Sequence, residues 1–144
     1  MNLPDIAEVA RRSGVPASTL RFYEEKGLIA STGRRGLRRL FDGSVFERLA
    51  LIALARAAGF TLEQIASMFS PDGRVRIDRA MLSAKADELE HTIRRLRAMC
   101  DGLRHAAVCR APSHMECPTF RKLLARAGAG EIRAPQPKKR QRRR

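Results

Sequence analysis

The sequence predicts a mainly α-helical chain: a helix-turn-helix with a small β-ribbon, one long coiled-coil helix, then a cysteine-bearing loop and a short helix. Three observations carry this. Two short amphipathic segments flank a Ser-Gly turn, Leu82, Leu89, Leu96 and Leu103 recur every seven residues, and Cys109 and Cys117 bracket a loop stiffened by Pro112 and Pro118. The 144 residues are 44% hydrophobic, which excludes wholesale disorder, and carry 29 Lys/Arg against 15 Asp/Glu. A net charge of +14 exceeds what solubility needs and points to a polyanionic partner. No apolar run approaches the roughly 18–20 residues that span a bilayer, and the first residues show no secretion signal. Three cysteines are too few for a disulfide scaffold, so a reducing, cytoplasmic setting is expected.

In the first helix, DIAEVARR (5–12), Ile6, Val9 and Ala10 fall at helical spacing and Asp5 sits at the N-terminus. Ser13-Gly14 breaks it. Pro16 opens the second helix, which runs to Gly27 with Leu20 inward. Such a second helix suits a major groove, and Ser18, Thr19, Arg21, Tyr23 and Lys26 supply donors for phosphates and base edges. The following LIASTGRRGLRRLF (28–41) reads as a β-ribbon carrying Arg34, Arg35, Arg38 and Arg39, a wing able to grip flanking backbone or else a solvated basic loop.

Asp42 is expected to cap a helix through Ala58, with Val45, Leu49, Ile52 and Ala53 on one face and Gly59 ending it. Thr61-Leu62-Glu63-Gln64 has capping-box form and opens a helix with Leu62, Ile65 and Met68/Phe69 inward. SPDG (70–73) is a turn.

These segments, IAEVARRSGV through TLRFYEEKGLI, then RRGLRR, then RLALIALARAAGFTLEQIASMF, resemble the DNA-binding domain of the MerR family over roughly residues 4–70. The resemblance implies DNA contacts from Thr19, Arg21 and Tyr23, with Arg38 as the phosphate-holding wing arginine. One departure stands out. The family wing reads G-Y-R-x-Y, whereas this one reads Gly36-Leu37-Arg38-Arg39-Leu40, so the tyrosine phosphate contact is lost and Arg35 or Arg39 is expected to substitute.

Residues 77–107 form the longest periodic stretch: Leu82, Leu89, Leu96 and Leu103 alternate with Ala86, Ile93, Cys100 and Ala107 in a continuous a/d seam. A stripe this long needs a partner. By resemblance it is an antiparallel homodimerisation helix, and a dimer suits a two-fold promoter site. Cys100 lies within the seam and reads as a packing residue, while His91 and His105 on the same helix read as surface residues.

The C-x7-C-P loop from Cys109 to Pro118 is similar to the effector loop of copper-efflux members of the family. Two thiolates alone suit a linear soft ion such as Cu(I) or Ag(I), and adding His114 with a further ligand suits tetrahedral Zn(II). Residues 74–80 lack the cysteine by which family members complete a three-thiolate Hg, Pb or Cd site, and the four-cysteine iron–sulfur pattern is absent. Two alternatives stay open: a thiol switch in which Cys109 and Cys117 oxidise, aided by Arg110 and His114, or an unreactive pair with an organic effector.

The final stretch, RAPQPKKRQRRR (133–144), holds seven Lys/Arg and no acid, half the net charge, and reads as a disordered basic tail. The expected organisation is a DNA-binding domain over 1–72, a dimerisation helix over 73–108, an effector loop and helix over 109–130, and the tail over 131–144. By resemblance the homodimer bends double-stranded promoter DNA when an effector binds and so acts on RNA polymerase indirectly, reading deformation energy. A nonspecific nucleoid or RNA-binding protein driven by the tail is the runner-up. An enzyme has no support, since no acid/base pair or phosphate loop stands out and a Cys109–His114 pair lacks an orienting partner.

Overall fold

A computed structural model describes residues 2–132; the basic tail lies outside the described residues. The order is α1 (Ile6–Ser13), α2 (Ala17–Glu25), β1 (Gly33–Arg35), β2 (Arg38–Leu40), α3 (Val45–Ala58), α4 (Leu62–Ser67), α5 (Arg79–Val108), a 3-10 turn (His114–Glu116) and α6 (Pro118–Gly128). The chain divides into two compact units, Met1–Ala86 and a second beginning at Asp87.

In the first unit, Asp5 caps α1 by accepting the Glu8 N–H at 2.9 Å. Gly14 at φ 74 ends α1 by donating its N–H to the Ala10 carbonyl, a left-handed position that a side chain would strain. The sharp reversal lets α2 pack across α1 as a helix-turn-helix. Val9, Leu20, Tyr23, Leu28, Ile29, Phe41, Val45, Leu49, Ile52, Phe60, Ile65 and Met68 form its core. The Thr61/Gln64 capping box is present in both directions.

Two expectations for α3 are corrected. Ser44, not Asp42, holds its N-cap position, while the Asp42 carboxylate accepts the Ser44 N–H at 2.9 Å and caps the turn before it. Ala55 is the buried alanine and Ala53 is exposed, because the inward stripe continues three residues on from Ile52.

The wing is a two-stranded antiparallel hairpin with Gly33 opposite Leu40, Arg34 opposite Arg39 and Arg35 opposite Arg38. Gly36, at φ 62, takes the first position of its two-residue loop, where a hairpin turn needs a left-handed residue. The wing base is tied to α1: Asp5 bridges Leu40, and the Phe41 N–H donates to the Pro4 carbonyl at 2.9 Å. Arg48 ties α3 to the segments around it, donating to the carbonyls of Leu28 and Gly73 at 3.0 and 3.1 Å and lying 4.0 Å over the Phe69 ring.

In the second unit, α5 presents two faces. Leu89, Ile93, Leu96 and Leu103 are 40–61% exposed and Cys100 is exposed, so the heptad seam has no cover within the chain among the described residues. Another face carries Gly102, which is buried, and an ideal Cβ there would lie 2.1 Å from Leu123 Cδ1 on α6. The missing side chain is what lets α6 approach so closely. No described helix is long and apolar enough to cross a membrane.

Candidate functional site

The first candidate surface comprises α2 and the wing. Ser18 and Arg21 are exposed and Thr19 is half-buried, whereas Tyr23 is 5% exposed and faces the core three residues on from Leu20. Its hydroxyl accepts from Arg56 at 2.8 Å, so it is packed inward and not extended as a free donor.

Register explains how the wing arginines differ. Like charges stand opposite each other across the strands, which is unfavourable unless acids intervene. Glu24 pairs with Arg39 at 2.9 Å and also accepts from Ser31, and Asp5 pairs with Arg38 at 2.9 Å. Asp5 is held below the ordinary carboxylate value, first by the Glu8 N–H and then by Arg38. Arg34 and Arg35 are exposed and have no ion pair among the described residues. Of the two arginines expected to replace the tyrosine contact, Arg35 is open while Arg39 is held by Glu24. Leu37 tops the hairpin almost fully exposed.

The second candidate site lies in the second unit. The last turn of α5 carries His105, four residues before Cys109 and on the same side of the chain as it leaves the helix. Cys117 is the N-cap residue of α6, buried, with Pro118 fixing the first helical position. His105, Cys109 and Cys117 bring one ligand atom each within 4.8 Å of one another, and His105 Nε2 lies 3.1 Å from Cys117 Sγ. Cys109 Sγ accepts the Ala111 N–H at 3.4 Å.

The environment favours thiolate. Cys117 is lowered from 9.0 to about 7, chiefly because the Phe120 N–H of the α6 first turn points at its sulfur; burial opposes this, and Cys109 and His105 assist. Two soft sulfurs with one imidazole form a donor set for a soft or borderline metal ion.

His114 departs from expectation. Its Nε2 is 2.8 Å from the Ala106 carbonyl, its ring lies beside Phe120, and it is not among the converging donors. The 3-10 turn that carries it is anchored back onto α5, which turns the ring from the thiols. His105, expected at the surface, is exposed yet lies against Cys117. The signal for it was present in the sequence: a histidine and a cysteine four residues apart at a helix end share a face.

A helix-turn-helix with a two-stranded wing defines a class, the winged helix-turn-helix DNA-binding regulators. The family profile described as "MerR HTH family regulatory protein" matches residues 5–71, and that described as "MerR, DNA binding" matches residues 46–106. The transcriptional regulator CueR of Salmonella typhi is 30% identical over 125 residues, covering 83% of this chain and 91% of that protein. A transcriptional activator SoxR homologue from Chromobacterium violaceum is 43% identical over 60 residues, a stretch covering only 42% of this chain and 40% of that protein. The structure of the regulator PbrR691 from Ralstonia metallidurans, in complex with lead(II), is 27% identical with a TM-score of 0.52, covering 82% of this chain and 97% of that one. The chain belongs to the MerR family: it is a DNA-binding transcriptional regulator and not an enzyme.

Proposed function

We propose that this regulator binds promoter DNA as a homodimer and changes transcription when a soft metal ion occupies Cys109 and Cys117. The convergence of those two thiols at the N-terminus of α6 carries the reading. Cu(I), Ag(I) and Zn(II) are the candidate ions, and relatedness to a lead(II)-bound regulator supports a metal effector of this general kind. The proposed organisation is DNA binding by residues 1–72, dimerisation by 73–108, effector sensing by 109–130 and auxiliary contact by the tail.

Ser18, Thr19, Arg21 and Arg35 contact DNA directly. Arg38 and Arg39 reach phosphate from positions set by Asp5 and Glu24, and Tyr23 acts by holding Arg56 beside α2. Leu82, Ala86, Leu89, Ile93, Leu96, Cys100 and Leu103 form the dimer seam, supported by their shared exposure on α5. His105 and His114 divide the role first given to His114: His105 faces the thiols and His114 fastens the loop to α5. RNA polymerase is a partner through the DNA, not through contact.

A second reading has its own observation. The two sulfurs lie within 4.8 Å and Cys117 titrates near 7, so peroxide oxidation of both thiols to a disulfide, with two waters formed, is a competing trigger.

The test is selection of duplexes from a random pool, followed by transcription with Cu(I), Ag(I), Zn(II) or peroxide. A selected sequence that Arg21→Ala no longer prefers supports the regulator reading. Uniform weakening by Arg21→Ala, with loss of all binding on deleting residues 133–144, favours a nonspecific nucleoid or RNA-binding protein. Peroxide acting where metal does not favours the thiol switch.

A further inference from the structure

We infer that His105 is a third metal ligand, so that the site is a two-thiolate, one-imidazole centre for a divalent d10 ion and not a linear two-thiolate seat. This rests on the metal reading of Cys109 and Cys117 and deepens it.

Geometry comes first. An ion bound at about 2.3 Å from sulfur and about 2.0–2.1 Å from nitrogen in trigonal or tetrahedral array holds its donors roughly 3.5–4 Å apart. All three donors here lie within 4.8 Å of one another, and the closest pair, His105 Nε2 to Cys117 Sγ, is at 3.1 Å. Closing on an ion therefore asks that pair to open by about half an ångström, within reach of a side-chain rotation.

The backbone builds this convergence. His105 and Cys109 come from the end of α5, with Gly102 three residues earlier on the packing face. At Gly102 the close approach of Leu123 brings α6 against α5, and Cys117 heads α6. The third donor is thus delivered by the same packing that delivers the second thiol.

Charge selects the ion. Two thiolates and a neutral imidazole balance a divalent cation, whereas a monovalent ion leaves one uncompensated negative charge beside a buried sulfur. The α6 N-terminus offsets only part of that. No carboxylate joins the group among the described residues. A linear ion has no use for a third donor, whereas a zinc-like ion would draw on the imidazole together with both sulfurs.

The experiment uses the full reduced chain with Cd(II), Zn(II) and Ag(I) as probes, for wild type, His105→Gln, His91→Gln and the single Cys109→Ser and Cys117→Ser variants. Competition titrations give affinities, and X-ray absorption of the Zn(II) and Cd(II) forms reports imidazole scattering. His105→Gln is expected to weaken Cd(II) and Zn(II) by about 100-fold or more, since losing a ligand should cost at least as much as the roughly 10–100-fold lost with an outer-shell partner, and to remove the imidazole signature. Its Ag(I) affinity, expected within about twofold of wild type because both thiolates remain, doubles as evidence of folding. His91→Gln is expected to behave as wild type. Unchanged Cd(II) and Zn(II) affinity in His105→Gln, a persisting imidazole signature, or an Ag(I) loss matching that of Cd(II) overturns the inference. If the cysteine variants lose every ion while His105→Gln loses none, only this inference fails. If the cysteine variants bind like wild type, the thiol-site reading fails with it.

Discussion

Gly102→Ala is the most informative single change, because two calculable effects oppose each other there. Alanine in a helix interior is favoured over glycine by about 0.8–1.0 kcal/mol. Against that, the new Cβ would lie 2.1 Å from Leu123 Cδ1, 3.1 Å from its Cγ and 3.4 Å from its Cδ2. Carbon atoms pack at about 3.5–4.0 Å, so the methyl must retreat by roughly 1.5 Å or more. Rotating Leu123 clears the methyl but leaves the branch carbon a few tenths of an ångström too close, so α6 must also give. Overpacking of this kind costs about 1–3 kcal/mol, which outweighs the helix gain and leaves a net loss of about 0–2 kcal/mol. Because Cys117 heads α6, the shift also moves one donor of the proposed metal site, where bound metal–ligand distances vary by only about 0.2 Å. Gly128→Ala is the control: it lies in α6 with nothing within 4 Å of its added Cβ, and it should be neutral or stabilising. Urea unfolding followed by helical circular dichroism measures stability, and Cd(II) competition measures the site. A Gly102→Ala chain that gains stability as Gly128→Ala does, with unchanged Cd(II) affinity, refutes the close approach of α5 and α6 as the feature that sets the site.

Three further outcomes are expected. Leu89→Lys with Leu96→Lys removes two seam leucines, each worth about 1.5–3 kcal/mol when buried, and should convert a dimer to monomers by sedimentation at micromolar concentration; a persistent dimer would place the interface elsewhere. In the metal-free Cys100→Ser chain, thiolate absorbance should step near pH 7 and lose that step in Cys117→Ser. Since folding lowers this thiol from 9.0, its stabilising contribution is complete above pH 9 and disappears as pH falls through about 7. Asp5→Ala should cost about 0.5–2 kcal/mol through the lost α1 cap, seen as a lower thermal midpoint, and should also release Arg38 from the wing base.

The elements were legible wherever local chemistry decides them. Gly14, the Thr61/Gln64 box and the heptad leucines each satisfy a backbone or burial requirement within a few residues, so pattern alone locates α1, α4 and α5. What pattern missed was set by contacts between elements. Arg39 looked free because its partner Glu24 sits on α2, fifteen positions away. Tyr23 looked like a groove donor because its hydroxyl hides how deep the ring lies, and only Arg56 on α3 reveals where that hydroxyl is satisfied. The His105/Cys109/Cys117 cluster shows the same division. Cys109 and Cys117 stand out through a C-x7-C-P loop that resembles an effector loop of the family, whereas the place of His105 beside them, in place of His114, depends on how the loop folds back onto α5.

Transcription from the selected promoter with purified RNA polymerase tests the central claim most directly, with soft metal titrated into wild type and into Cys109→Ser/Cys117→Ser. The account predicts that both proteins bind the promoter within about twofold of each other, because α2 and the wing are untouched, and that metal changes transcript level only with wild type. A double-serine protein that responds to metal as wild type does would contradict it.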